Sequence, residues 1–158
     1  ADALQYVSSL VLVAESQDVT ISGLNGDVDV SYLLKFNLVG ALAGLPKSPF
    51  TKRNYIKPKN ISSVFYLLSV GTAGATVLKI ISASGDPCYG ECSIRAATGT
   101  KRTFVTEVGQ KSAAPEGWMF SAIWDETATN ITSLTIHSSV ANGLGIGSSF
   151  TLYKMPNG

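Results

Sequence analysis

Reactive side chains are scarce in this chain. One histidine, His137, and two cysteines, Cys88 and Cys92, are present in 158 residues. A nucleophile–base–acid triad has no natural members in such a set. A zinc site would need two ligands beyond the cysteines, with a single histidine to draw on. Charge is scarce too: Asp, Glu, Lys and Arg make up 15% of the chain, against about 25% in a typical soluble domain. The formal net charge of +1 argues neither for nor against a polyanionic partner. No apolar run approaches the roughly eighteen residues of a membrane span. Ala1-Asp2-Ala3-Leu4 carries no basic stretch ahead of an apolar core, so no signal peptide is visible. No cofactor, metal, nucleic-acid partner or membrane insertion is expected.

What is present suits strands. Apolar residues make up 45%, with fifteen glycines and many Ser and Thr, a mix poor for helices and good for pleated strands joined by tight turns. A chain of this length can bury about 70% of its unfolded surface without staples. Residues 1–158 are expected to form one domain with a short N-terminal arm over 1–9. Val28, Val30, Tyr32, Leu34, Phe36 and Leu38 alternate with mostly polar neighbours, a period of two that predicts a half-buried strand over Val28–Leu38. Asn25-Gly26 precedes it and accepts positive φ, predicting a hairpin with Asp18–Ser22. Gln5–Ala14 reads as a further strand. Others are expected over Ser62–Ser69, Ala75–Ala83, Cys92–Ala97, Arg102–Val108, Trp118–Trp124, Asn130–Ser138 and Ser148–Lys154, with Gly-rich turns between them. Eight to ten short strands without a convincing helix predict an all-β, antiparallel sandwich of jelly-roll type; an up-and-down barrel is the alternative.

Tests for chemistry mostly fail. His137 alternates with Leu134 and Ile136 and shares a polar strand face with Ser133 and Thr135. Gly143-Leu144-Gly145-Ile146-Gly147 looks like a dinucleotide loop, but the alternation of Phe150, Leu152 and Lys154 puts a strand after it where a phosphate-binding helix is required; the glycines instead suit a corner or close packing. Asp125–Glu126 and Asp27/Asp29 are neighbours in turns, whereas a glycosidase needs two carboxylates facing across a cleft. Asn25, Asp27 and Asp29 supply oxygens for a weak calcium site, although an ordinary polar turn explains them better. Cys88 and Cys92 are spaced to close a small loop disulfide or to remain thiols. The enzyme classes therefore fall away, and a binding or assembly role is expected.

Charge is unevenly spread. Residues 1–34 hold five acids and no Lys or Arg, and residues 35–59 hold six cations and no acid. Such a split can steer two surfaces together. The basic stretch holds three of the six prolines, and long loops of this kind are commonly functional. Lys47, Lys52, Arg53, Tyr55, Lys57 and Lys59 are the candidate contact loop. Trp118, Phe120 and Trp124 share one strand face, marking a core or subunit interface.

The C-terminal third carries a resemblance. Trp124-Asp-Glu-Thr-Ala-Thr-Asn130-Ile-Thr-Ser-Leu-Thr-Ile-His137, followed by Ala141-Asn-Gly-Leu-Gly-Ile-Gly-Ser-Ser-Phe-Thr-Leu-Tyr153-Lys, resembles the closing segment of a broad group of tailed-bacteriophage virion proteins described as tail, fibre or head-surface components. The match covers about thirty residues, with weaker echoes in Gly23-Leu-Asn-Gly-Asp-Val-Asp and Tyr32. It implies a surface protein of the phage particle, a jelly roll associating as a homotrimer and contacting phage capsid or tail proteins. Neither a heptad-repeat nor a β-helical shaft is present, so the resemblance implies a capsid decoration (cement) protein. The alternative is a tail-tip or tail-fibre module that recognises a host surface receptor.

Overall fold

The computed structural model describes residues 3–39, 65–70, 77–82, 88–110, 116–138 and 141–155. Ten strands form within them: β1 Gln5–Val11, β2 Asp18–Ser22, β3 Ser31–Leu38, β4 Phe65–Val70, β5 Val77–Ser82, β6 Cys88–Arg95, β7 Arg102–Gln110, β8 Glu116–Trp124, β9 Ser133–Ser138 and β10 Ser149–Lys154, with a one-turn helix α1 at Gly26–Asp29. They build an all-β antiparallel sandwich. One sheet has six strands in the order β1-β10-β3-β6-β7-β8, and the other has four in the order β2-β9-β4-β5.

Alternation decides what is buried. Tyr32, Leu34, Phe36 and Leu38 of β3 point inward, as do Phe150 and Leu152 of β10 and Cys92 and Ile94 of β6. Val19 and Ile21 of β2 and Leu134 and Ile136 of β9 face them from the second sheet in one continuous core. Burying each such side chain contributes about 1.5–3 kcal/mol.

The expected hairpin between Asp18–Ser22 and Val28–Leu38 does not form. β2 pairs with β9, Ile21 opposite Leu134, while β3 crosses to the other sheet and lies between β10 and β6. Packing explains the difference. A Cβ on Gly26 would sit 3.0 Å from the Ala96 carbonyl oxygen and 3.2 Å from the Ile131 Cβ, and the Gly26 N–H donates to the Ile131 carbonyl at 3.0 Å. Glycine serves close approach there, and Asn25 stays extended at φ −139°. The strand accordingly begins at Ser31, and Val28 is left exposed. Between helix and strand Val30 has φ +64° and ψ −50°, a region that branched side chains rarely adopt.

The arm expected over 1–9 is, from Gln5 onward, part of edge strand β1, with Gln5 opposite Lys154 and Val11 opposite Ser149. Val7 and Leu12 pack against the core and hold it there.

Candidate functional site

The core-facing and solvent-facing sides of β6, β7 and β8 divide the candidate residues. Register places Arg102 opposite Trp124, Phe104 opposite Ala122 and Thr106 opposite Phe120. Arg102, Phe104, Thr106 and Trp124 are buried. Trp124, expected in a core or an interface, belongs to the core. Trp118 and Phe120 lie in β8, opposite Val108 and Thr106; their side chains lie outside what is described. The Arg102 guanidinium donates to the carbonyls of Glu126 and Thr129 and to Glu126 Oε2 at 3.1 Å, and its Cζ lies 5.0 Å from the Trp124 ring centroid. Backbone N–H groups of Ala128 and Thr129, with this guanidinium, hold the Glu126 carboxyl below the ordinary range. Arg102 thus pins the loop after β8. Its burial follows from sharing a strand parity with Phe104 and Val108, a signal present in the sequence.

Cys88 and Cys92 both lie in β6, and both are buried thiols. The small loop closed by a disulfide, left open by spacing, is ruled out: four residues along a strand span about 13 Å, far beyond the roughly 7 Å Cα limit for a bridge. Burial pushes the Cys92 thiol up to about 11, which leaves it unreactive at neutral pH.

His137 Nδ1 meets Asp18 Oδ1 at 2.6 Å on the face shared with Thr135. The oxygens considered for calcium are engaged with protein groups. Asn25 Oδ1 accepts from Asn130 Nδ2 at 3.0 Å, and Asp27 Oδ1 accepts from the Thr98 N–H at 2.8 Å. Asp29 takes the Tyr32 hydroxyl at 2.5 Å and the Lys154 ammonium at 2.9 Å. Burial alone would raise the Asp29 carboxyl; the Tyr32 and Lys154 contacts outweigh it and hold the group below its ordinary value. Among the described residues no group of three His, Cys, Asp or Glu side chains is arranged to hold a metal, and no helix is long and apolar enough to cross a membrane. The Gly143–Gly147 segment packs closely, with Gly145 N–H donating to the Val39 carbonyl at 2.7 Å and Gly147 turning at φ +88° into β10.

The candidate contact loop of Lys47, Lys52, Arg53, Tyr55, Lys57 and Lys59 lies outside the described residues. A site does emerge on the outer face of the six-stranded sheet. An open groove of about 600 Å³ runs over β6–β8, lined by Tyr89, Glu91, Glu107, Gly109, Gly117 and Met119. Tyr89 lies opposite Gly109, Glu91 opposite Glu107, and Gly109 opposite Gly117. Tyr89 is 54% exposed and Met119 67%. A second hollow of about 370 Å³ on the same face is lined by Leu4, Leu33, Arg95, Val105 and Met155 among others. The pairing of Glu91 with Glu107 escaped sequence reasoning, which weighed only carboxylates adjacent along the chain.

No known protein-family model and no curated protein matches this chain.

Proposed function

We propose that this chain is a non-enzymatic structural protein displayed on the surface of a tailed-phage particle, a capsid decoration protein that acts as a trimer. The observation that carries this reading is a pair of unlike apolar borders on the six-stranded sheet. At one border, edge strand β1 and its flanks expose Leu4, Tyr6, Leu10, Val11 and Val13; at the other, β8 exposes Met119 and Ile123. Unpaired strand edges and exposed apolar side chains invite association. Two different patches favour head-to-tail contact over a self-complementary dimer, and such contact gives a ring where the rotation between copies closes.

Two further features support the reading. The phrase resembling phage proteins supplies Ile131, Leu134, Ile136, Leu144, Phe150 and Leu152, all fully buried, so the shared residues are those that close both sheets. The strand order supports a jelly roll. With β7 and β8 set aside as an added hairpin, β1-β10-β3-β6 faces β2-β9-β4-β5, and each link along the chain changes sheets except β4 to β5.

Sedimentation equilibrium of the purified chain tests the assembly: a mass three times the 16.6 kDa of one chain is expected. The double change Met119→Asp and Ile123→Asp is expected to yield monomer. Gold-labelled antibody on intact particles is expected over the head. Label confined to the tail tip would transfer the reading to a receptor-binding module, which the exposed Tyr89 groove favours as the second choice.

A further inference from the structure

The glycines on the outer face of β7 and β8 have room for a side chain. Among the described residues, a Cβ on Gly109 would meet nothing within 4 Å, and one on Gly117 only the Val108 carbonyl oxygen at an ordinary 3.6 Å. Neither has the positive φ seen at Gly23, Gly99 and Gly147. Glycine inside a strand weakens it, and where the strand itself has no use for it, it marks a place where something approaches the backbone closely. These two lie side by side across the β7–β8 ladder and make a flat floor two strands wide. Tyr89, directly opposite Gly109, walls one side with an exposed ring, and Met119 stands on β8 beyond Gly117.

The next row of the same groove holds a second arrangement that weakens the fold. Glu91 and Glu107 face each other across β6–β7, and like charges directly opposite on a sheet are destabilising. Neither makes a hydrogen bond or ion pair with another described residue. Lys35, beside Glu91 in the register, places its ammonium over the Tyr153 ring at 5.8 Å. A bare glycine floor, an exposed aromatic wall and a pair of carboxylates without a hydrogen-bond or ion-pair partner among the described residues thus coincide in one groove. Places that break local rules together are where function is expected.

We propose that this groove binds a saccharide. A pyranose ring lying on the Gly109–Gly117 floor sets its C–H face against Tyr89, and its hydroxyls donate to Glu91 and Glu107, which offer acceptors and no donors when ionised. A flexible cationic side chain would satisfy the carboxylates but would leave the flat floor without a use. The shallow, open groove of about 600 Å³ leaves room for a disaccharide lying along the sheet with one face to solvent. The groove meets the assembly border proposed above at Met119 alone; its test changes Tyr89, Gly109, Glu91 and Glu107, which lie outside that border, so this inference and the assembly succeed or fail separately.

Saturation-transfer NMR of the full chain with maltose, lactose, cellobiose and diacetylchitobiose, each at millimolar concentration, is the test. At least one is expected to receive magnetisation, with affinity falling tenfold or more in Tyr89→Ala and in Gly109→Val, while neither variant lowers the melting temperature. Glu91→Gln with Glu107→Gln is expected to weaken binding severalfold, since each amide keeps one acceptor oxygen. Transfer to none of the four sugars overturns the proposal, as does binding that survives Tyr89→Ala and Gly109→Val. Tetralysine serves as the cationic probe: binding of tetralysine without any of the sugars assigns the groove to a polycation and also overturns it.

Discussion

On the core side of β6–β8, Cys92, Ile94, Phe104, Val108 and Trp124 interlock with the opposite sheet, and the one charged residue among them, Arg102, has carbonyl acceptors and an aromatic neighbour. On the solvent side of the same three strands stand an exposed tyrosine, two glutamates opposite one another that bond to no other described residue, and two glycines with room for a Cβ among the described residues. The inner face is optimised for packing and the outer face is not. Both are carried by the same backbone, and the proposed sugar site would account for the departure on the outer face. Substitutions on the two sides should therefore differ in sign as well as size.

The largest effect is expected at Arg102. Arg102→Ala removes a buried side chain and strands the Glu126 and Thr129 carbonyls, at about 3 kcal/mol or more by chemical denaturation. Arg102→Met restores the packing but not the donors, so about half the loss should return. A full return would show that packing alone holds the loop after β8.

Gly90 comes next, and it sharpens the contrast. Its Cβ would point inward, 2.6 Å from Phe36 Cζ and 2.6 Å from the Glu107 carbonyl oxygen, so Gly90→Ala forces the ring or the ladder aside. Overpacking of this kind costs about 2 kcal/mol. A neutral outcome in urea denaturation would mean that the β3–β6 pair yields more easily than its register suggests.

How much of this was legible beforehand differs by element. Strand parity located the buried face of β3 from Tyr32 onward, and the spacing of Gly-rich turns marked nearly the full span of β7, β9 and β10, because alternation and turn chemistry are local properties. The turn at Thr98-Gly99-Thr100 was legible too, and it held more than was taken from it: a hairpin centred on Gly99 puts Glu91 opposite Glu107, each eight residues away. The misread part was Asn25-Gly26. The same dipeptide at Asn142-Gly143 does turn with Asn142 at φ +55°, whereas at Gly26 the constraint is contact with Ala96 and Ile131, residues distant in sequence. No local pattern distinguishes a glycine chosen for its φ from one chosen for its lack of a side chain. The exchange of β2 and β3 between sheets is non-local in the same way.

Asp29 joins the turn of α1 to the end of β10, and its smaller effect is read by pH. Its carboxyl is held below 3.8 in the folded chain, so the unfolded chain binds more protons on acidification. The stabilisation is complete above that ordinary value and is lost as pH falls through the lower, folded one. Asp29→Asn is expected to lower the melting temperature at pH 7 and to flatten its fall between about pH 5 and pH 2. Asp27 and Glu126, also held low, should preserve part of the acid limb. An unchanged limb in Asp29→Asn would place the acid sensitivity on those two.

The smallest effect has the opposite sign. Gly109→Ala and Gly117→Ala each add a methyl group into open space or ordinary contact on a strand with negative φ, and each removes backbone freedom from the unfolded chain. Each should raise stability by about 0.5–1 kcal/mol, while Gly90→Ala, at the start of the same groove but facing the core, lowers it. The two outer changes lie side by side across the ladder, so their sum in the double variant should fall slightly short of additive. If thermal unfolding instead shows Gly109→Ala to be destabilising, the glycine is needed by the sandwich itself, and the outer face loses its claim to be shaped by a partner.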